Sequence, residues 1–163
     1  MNFSQYNHLP SLASCIESMS VCFDGISFPY RERHIGSVLS FINKVFSTIG
    51  TRFMLISGPA SSGKRSVVRH CASCSGFEDR IYFELRDSYL TPCIFVLFDE
   101  SPENLLSLAR QLGGASFILI SEQQFPCDII PQNTQMLQFK SYSDIELLEI
   151  IDNRLAICHV KEI

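Results

Sequence analysis

An α/β domain, with a mainly parallel sheet between layers of helices, is the fold class this sequence predicts, and three observations predict it. Short apolar segments alternate with helical patterns along the chain. Those segments lack the two-residue alternation of a half-solvated sheet, so they read as strands covered on both faces. One of them runs into a glycine-rich turn that opens a helix, the context a phosphate-binding loop requires. At 163 residues the chain is one domain on the usual scale of ~100 to 200 and is long enough to bury a full core.

Residues 1–29 contain Pro10, Gly25 and Pro29, and their helical pattern of Leu12, Ile16 and Met19 is soon interrupted, which predicts a partly ordered arm. From Tyr30 the register changes. Ile35, Leu39, Ile42, Phe46 and Ile49 recur at helical spacing behind Arg31, Glu32 and Arg33, predicting a helix over 31–47 that Gly50 ends. Strands are predicted over 52–57, 81–85, 94–98, 116–120 and 136–139. Helices are predicted from the glycine turn to about Ala72, over 102–112 with Ser101 as N-cap and Pro102 at the first position, and over 144–155 with Ser143 and Glu146 as a capping box. One connection fits poorly: the eight residues 86–93 reach about 26 Å when extended, too few for a helical crossover. Either the crossover is stripped to a loop, or the strand at 81–85 runs antiparallel at the edge.

The chemistry concentrates in three places. Gly58-Pro59-Ala60-Ser61-Ser62-Gly63-Lys64 has phosphate-loop spacing: backbone N–H groups of 60–64 curl round a phosphate, the helix N-terminus adds its positive end, and Lys64 reaches the outer oxygens. The next position calls for a hydroxyl to hold magnesium, and Arg65 has no acceptor lone pair, so the metal is expected to be held badly or indirectly. Ser66 stands one residue too far along to replace it without a shifted helix start, although Arg65 could itself contact phosphate. The strand over 94–98 delivers Asp99 beside a metal position and Glu100 where a base polarises water, unless the pair is a plain acidic lead into Ser101. Ser121 ends the strand over 116–120, as a polar sensor or an ordinary strand-end serine. His70-Cys71-Ala72-Ser73-Cys74 holds half a zinc motif without a second pair, so no zinc is expected. Arg31, Arg33 and His34 could meet DNA phosphate or an adenine, though a solvated helix start is the plainer reading.

Thirteen Lys and Arg against seventeen Asp and Glu give a net charge of −4, so no overall basic field draws the chain to nucleic acid. The longest apolar run is the six residues 93–98, far short of the ~20 that cross a bilayer, and no membrane role is expected. Seven scattered cysteines with no secretory signal point to the reducing cytosol or nucleus.

Taken together, Tyr30-Arg31-Glu32-Arg33-His34-Ile35, the phosphate loop, Phe98-Asp99-Glu100, Leu119-Ile120-Ser121-Glu122, and Phe139 followed by Ser141-Tyr142-Ser143, Leu147-Leu148-Glu149-Ile150-Ile151 and Arg154 resemble the initiator branch of the AAA+ ATPases. More narrowly, Leu119 to Glu122 with Phe139 to Ser143 is similar to the fifth-subunit family of the eukaryotic origin recognition complex. The resemblance implies a P-loop NTPase (AAA+) three-layer sandwich, with an arm over 1–29, a nucleotide-binding core over 30–140, and over 141–163 one helix of a truncated lid and a tail. It implies ATP bound between subunits of a nuclear, origin-binding ring, other subunits of that complex as partners, and DNA reached through the complex. Gly58, Gly63 and Lys64 would hold phosphates, Asp99 and Glu100 would serve metal and water, and Ser121 would be the sensor. No arginine stands over 129–139, where relatives place a finger; Arg110 and Arg154 are distant substitutes. The expected function is ATP binding as structural glue at a subunit interface. The alternatives are a small active P-loop ATPase or phosphotransferase, and a degenerate scaffold that binds no nucleotide.

Overall fold

Buried strands and amphipathic helices alternate along the chain as the pattern requires. The structure, a computed structural model, describes residues 28–126, 128, 130, 131 and 134–160, with side chains to 156. The arm expected over 1–29, all but Phe28 and Pro29, lies outside the described residues, as do Cys15, Cys22, Cys127, Ile129 and the side chain of Cys158. In chain order the elements are α1 (Glu32–Ser47), β1 (Phe53–Ser57), α2 (Lys64–Cys74), a 3-10 turn (Glu78–Arg80), β2 (Ile81–Tyr82), β3 (Cys93–Phe98), α3 (Pro102–Gln111), β4 (Ala115–Ser121), β5 (Gln135–Gln138) and α4 (Asp144–Val160).

The strands form one sheet in the order β2-β3-β4-β1-β5, with every neighbouring pair parallel. The short connection is thereby settled: residues 83–92 cross over without a helix, and the strand before them is parallel. That strand is shorter than predicted. Only Ile81 is buried at this sheet edge, and Leu85 is already 47% exposed, so nothing rewards further pairing.

Alternate residues of each strand feed two cores. Leu55, Phe95, Leu97, Phe117 and Leu119 gather on the face covered by Leu105 and Leu108 of α3. Met54, Ile56, Ile94, Val96, Ile118 and Ile120, also buried, point to the face where α1 and α2 pack together. On α1 the buried row is Val38, Phe41, Ile42 and Val45 rather than the predicted Ile35, Leu39, Ile42, Phe46 and Ile49. Both rows are apolar and each holds three β-branched residues, so the surface the helix packs against makes the choice. Phe46 instead stacks on Phe77 at 4.1 Å, while Ile49 lies beyond the helix end and is fully exposed.

The helix starts match their sequence signals. Ser101 Oγ accepts the N–H of Asn104 at 3.2 Å. Ser143 donates its N–H to Glu146 Oε2 at 2.6 Å, and Glu146 returns its N–H to Ser143 Oγ at 3.3 Å. Two compact units divide the described residues: Tyr30–Tyr142 holds the sheet with α1, α2 and α3, and α4 belongs to the other. Along α4, Ile145, Leu148 and Ile151 are exposed. No helix among the described residues is long and apolar enough to cross a membrane.

Candidate nucleotide-binding site

The glycine loop leaves the C-terminal end of β1, the inner strand flanked by β4 and β5. Gly58 donates its N–H to Ser121 O at 3.2 Å, and Phe139 donates its N–H to Ser57 O at 2.7 Å, so the loop springs from a pinned strand end. Open α/β sheets bind ligands at such carboxyl ends. Gly58 is required by space: a Cβ there would lie 2.6 Å from Phe139 O. Ser61 (φ 62) and Gly63 (φ 88) take left-handed conformations on either side of the fully buried Ser62, a local turn that gathers backbone N–H groups. Gly63 is the N-cap of α2, so the positive end of that helix opens onto the same loop.

Lys64, in the first turn of α2, folds back over the loop and is only 6% exposed. Its Nζ donates to Gly58 O and Pro59 O at 2.6 Å each and to Ser62 Oγ at 3.4 Å. Burial lowers its pKa, against the opposing pull of the Glu122 carboxylate. Three protons meet three acceptors that a phosphate's oxygens could replace.

Arg31 corrects the sequence reading. It is not part of a solvated helix start but is 5% exposed, at the N-cap of α1. Its Nε and Nη2 donate to Ser62 O at 3.2 and 2.9 Å, and Nη2 also donates to Lys140 O at 2.6 Å. The guanidinium lies over the Tyr142 ring at 4.0 Å and the Phe139 ring at 5.1 Å. The glycine loop therefore rests on a buried cation that also ties down the segment after β5. The signal was in the helical register: Arg31 shares one side with Val38, Ile42 and Val45, so it continues the buried row into the loop. Arg33 stays exposed, while His34 is half-buried, with Nε2 2.9 Å from Gln138 O and its ring 4.3 Å from that of Phe139.

At the end of β3, Asp99 has φ 57 and donates its N–H to Ile120 O at 2.9 Å, which turns its side chain out of the sheet. Its Oδ2 lies 3.7 Å from Arg65 Nη2. The Arg65 guanidinium also covers the Phe98 ring at 4.3 Å. Ser66, half-buried, follows in the first turn of α2. Glu100 Oε2 accepts from Asn104 Nδ2 at 3.2 Å, and Ser121 Oγ accepts the N–H of Gln123 at 3.1 Å. Asp99, Glu100, Ser121, Glu122 and Phe125 line an open cleft of about 470 Å³, while the loop over 58–64 lies outside its lining. The structure thus joins Asp99 to Arg65, and Glu100 and Ser121 to one cleft, with each polar tip already partnered.

The residues of the half zinc motif differ in exposure. Cys71 Sγ is buried, 3.8 Å from Ile35 O, and burial pushes its thiol up to about 12, whereas Cys74 is exposed, 3.8 Å from His70 Nε2.

No protein-family model matches the chain, and no curated protein matches it in sequence. Solved structures do match. A Cdc6p from Pyrobaculum aerophilum superposes with a TM-score of 0.60 at 12% identity, over 85% of this chain and 52% of that one. A chain of the Drosophila ORC bound to DNA superposes with a TM-score of 0.57 at 18% identity, over 95% of this chain and 55% of that one. The chain spans about half the length of the solved structures it matches. Sheet order, all-parallel pairing and these likenesses agree on the fold, a P-loop NTPase-type α/β sandwich like that of the two solved structures.

Proposed function

We propose that this chain binds ATP at Gly58 to Lys64 as an AAA+ subunit of a nuclear, origin-recognition-type replication-initiation complex. The nucleotide acts mainly as structural glue at a subunit interface. Within that reading the chain stands in the position of the fifth subunit that its sequence resembles, has the other subunits as partners, and reaches DNA through the assembly. One observation carries it: a loop with two left-handed residues at a helix N-terminus, over which a buried ammonium is held at 2.6 Å from two backbone carbonyls. Such a loop is built for an anion with several oxygens. The exposed apolar residues Ile145, Leu148 and Ile151 of α4 support a contact with another subunit. Turnover is secondary, because Glu100 is engaged by Asn104 and no arginine stands over 129–139 to steady transition-state charge.

Isothermal titration with ATP tests the site. Lys64→Ala should weaken binding about ten-fold or more, the loss of a charge-assisted contact of roughly 1.5 to 3 kcal/mol. Equal affinity in both proteins would mean that the nucleotide site lies elsewhere, and no binding in either returns the chain to the scaffold reading, which the internal satisfaction of Lys64 favours. Rapid steady turnover by the isolated chain would favour the enzyme.

A further inference from the structure

The residues that a phosphate-loop site would offer to magnesium do not fit the ion. The position after the loop lysine calls for a hydroxyl oxygen, and Arg65 presents five N–H donors, a positive charge and no lone pair. Ser66 is displaced by about 100° round the helix from that position. Asp99, the carboxylate at the end of β3, already faces Arg65 Nη2 at 3.7 Å. Arg65 is not a free surface arginine, since it is held between that carboxylate and the Phe98 ring at 4.3 Å. A dication brought there would meet a fixed like charge and a carboxylate already engaged.

We infer that Arg65 takes the place of magnesium, so that this chain binds its nucleotide as the metal-free polyphosphate, with the guanidinium as built-in countercharge. The inference rests on the nucleotide reading above. Arg65 and Lys64 are adjacent in the first turn of α2, so both cations meet the loop's anion from its helix side. A guanidinium matches two phosphate oxygens in a fork, which an ammonium cannot do. The pair with Asp99 is weak enough to exchange, because its side chains are 61% and 65% exposed and solvent screens them. On binding, Arg65 leaves Asp99 for phosphate and keeps its support on Phe98. Nucleotide already chelated by magnesium carries less negative charge and places its metal against Arg65, and so binds less well.

Fluorescence anisotropy of a labelled ATP on the full chain, in magnesium and in EDTA, tests this. Wild type should bind as tightly in EDTA as in magnesium, or up to about three-fold tighter, whereas Arg65→Ser, which restores the hydroxyl, should bind about ten-fold tighter with magnesium than without. Arg65→Lys keeps the charge and loses the fork, so it should remain indifferent to magnesium with reduced affinity. Arg65 is exposed, and melting curves verify that both variants fold. Wild-type binding that collapses in EDTA overturns the inference and leaves the nucleotide reading intact. No binding by folded wild type in either buffer overturns both.

Discussion

Arg31 shows how far one side chain can outrun its sequence position. A guanidinium that is 5% exposed, bonded to Ser62 O and Lys140 O and stacked between Phe139 and Tyr142, is a buried charge with its partners supplied by backbone. Arg31→Ala leaves two inward carbonyls without donors and should cost about 2 to 4 kcal/mol, read as a lower midpoint in urea unfolding. Arg31→Lys should recover little of it, because an ammonium cannot span both carbonyls and stack. Lys64 and Gly58 were legible beforehand, since their spacing encodes a loop that backbone sterics then enforce. Arg31 had only its helical register as a signal, because a charge in a first helical turn is ordinarily solvated, and the loop packed against it makes this one structural. Asp99, Glu100 and Ser121 were legible as positions at strand ends, but their partners Arg65, Asn104 and Gln123 depend on how loops meet in space.

At the scale of elements, the strongest local signals gave the most accurate boundaries. Ser101 with Pro102, and Ser143 with Glu146, start helices where backbone N–H groups need acceptors, and both starts are found. Strand β2 was overextended in the sequence reading because Phe83 and Leu85 are apolar, yet an edge with one neighbour buries only Ile81. The choice between the two apolar rows of α1 was likewise beyond a single helix, since the sheet makes it. The helix-free crossover over 83–92 carries a prediction of its own. Its residues over 84–88 are exposed, so inserting four Gly/Ser residues there adds mainly loop entropy and should lower stability by less than ~1 kcal/mol. A calorimetric loss several times larger would mean that the loop's path, with Arg86 over Tyr82 at 4.7 Å, holds the edge strand in place.

For the molecule as a whole, charge sets what it can do alone. With a net −4, the isolated chain should bind duplex DNA weakly, with a dissociation constant no tighter than about 10 µM at physiological salt, measured by anisotropy. Submicromolar binding without partners would contradict a role that reaches DNA through an assembly. The sheet order has a temporal consequence. Strand β1 pairs with β4 and β5, more distant along the chain than its own helix, and the loop's anchors, Ser121 O and Phe139 N–H, come from those two late strands. During synthesis the early half, the loop over 58–64 included, must therefore wait with its apolar strand unpaired until β4 has emerged, and with one edge still open until residue 139 follows. The loop over 58–64 is thus the last part of that nascent half to be pinned, because its second anchor arrives only when the last strand docks.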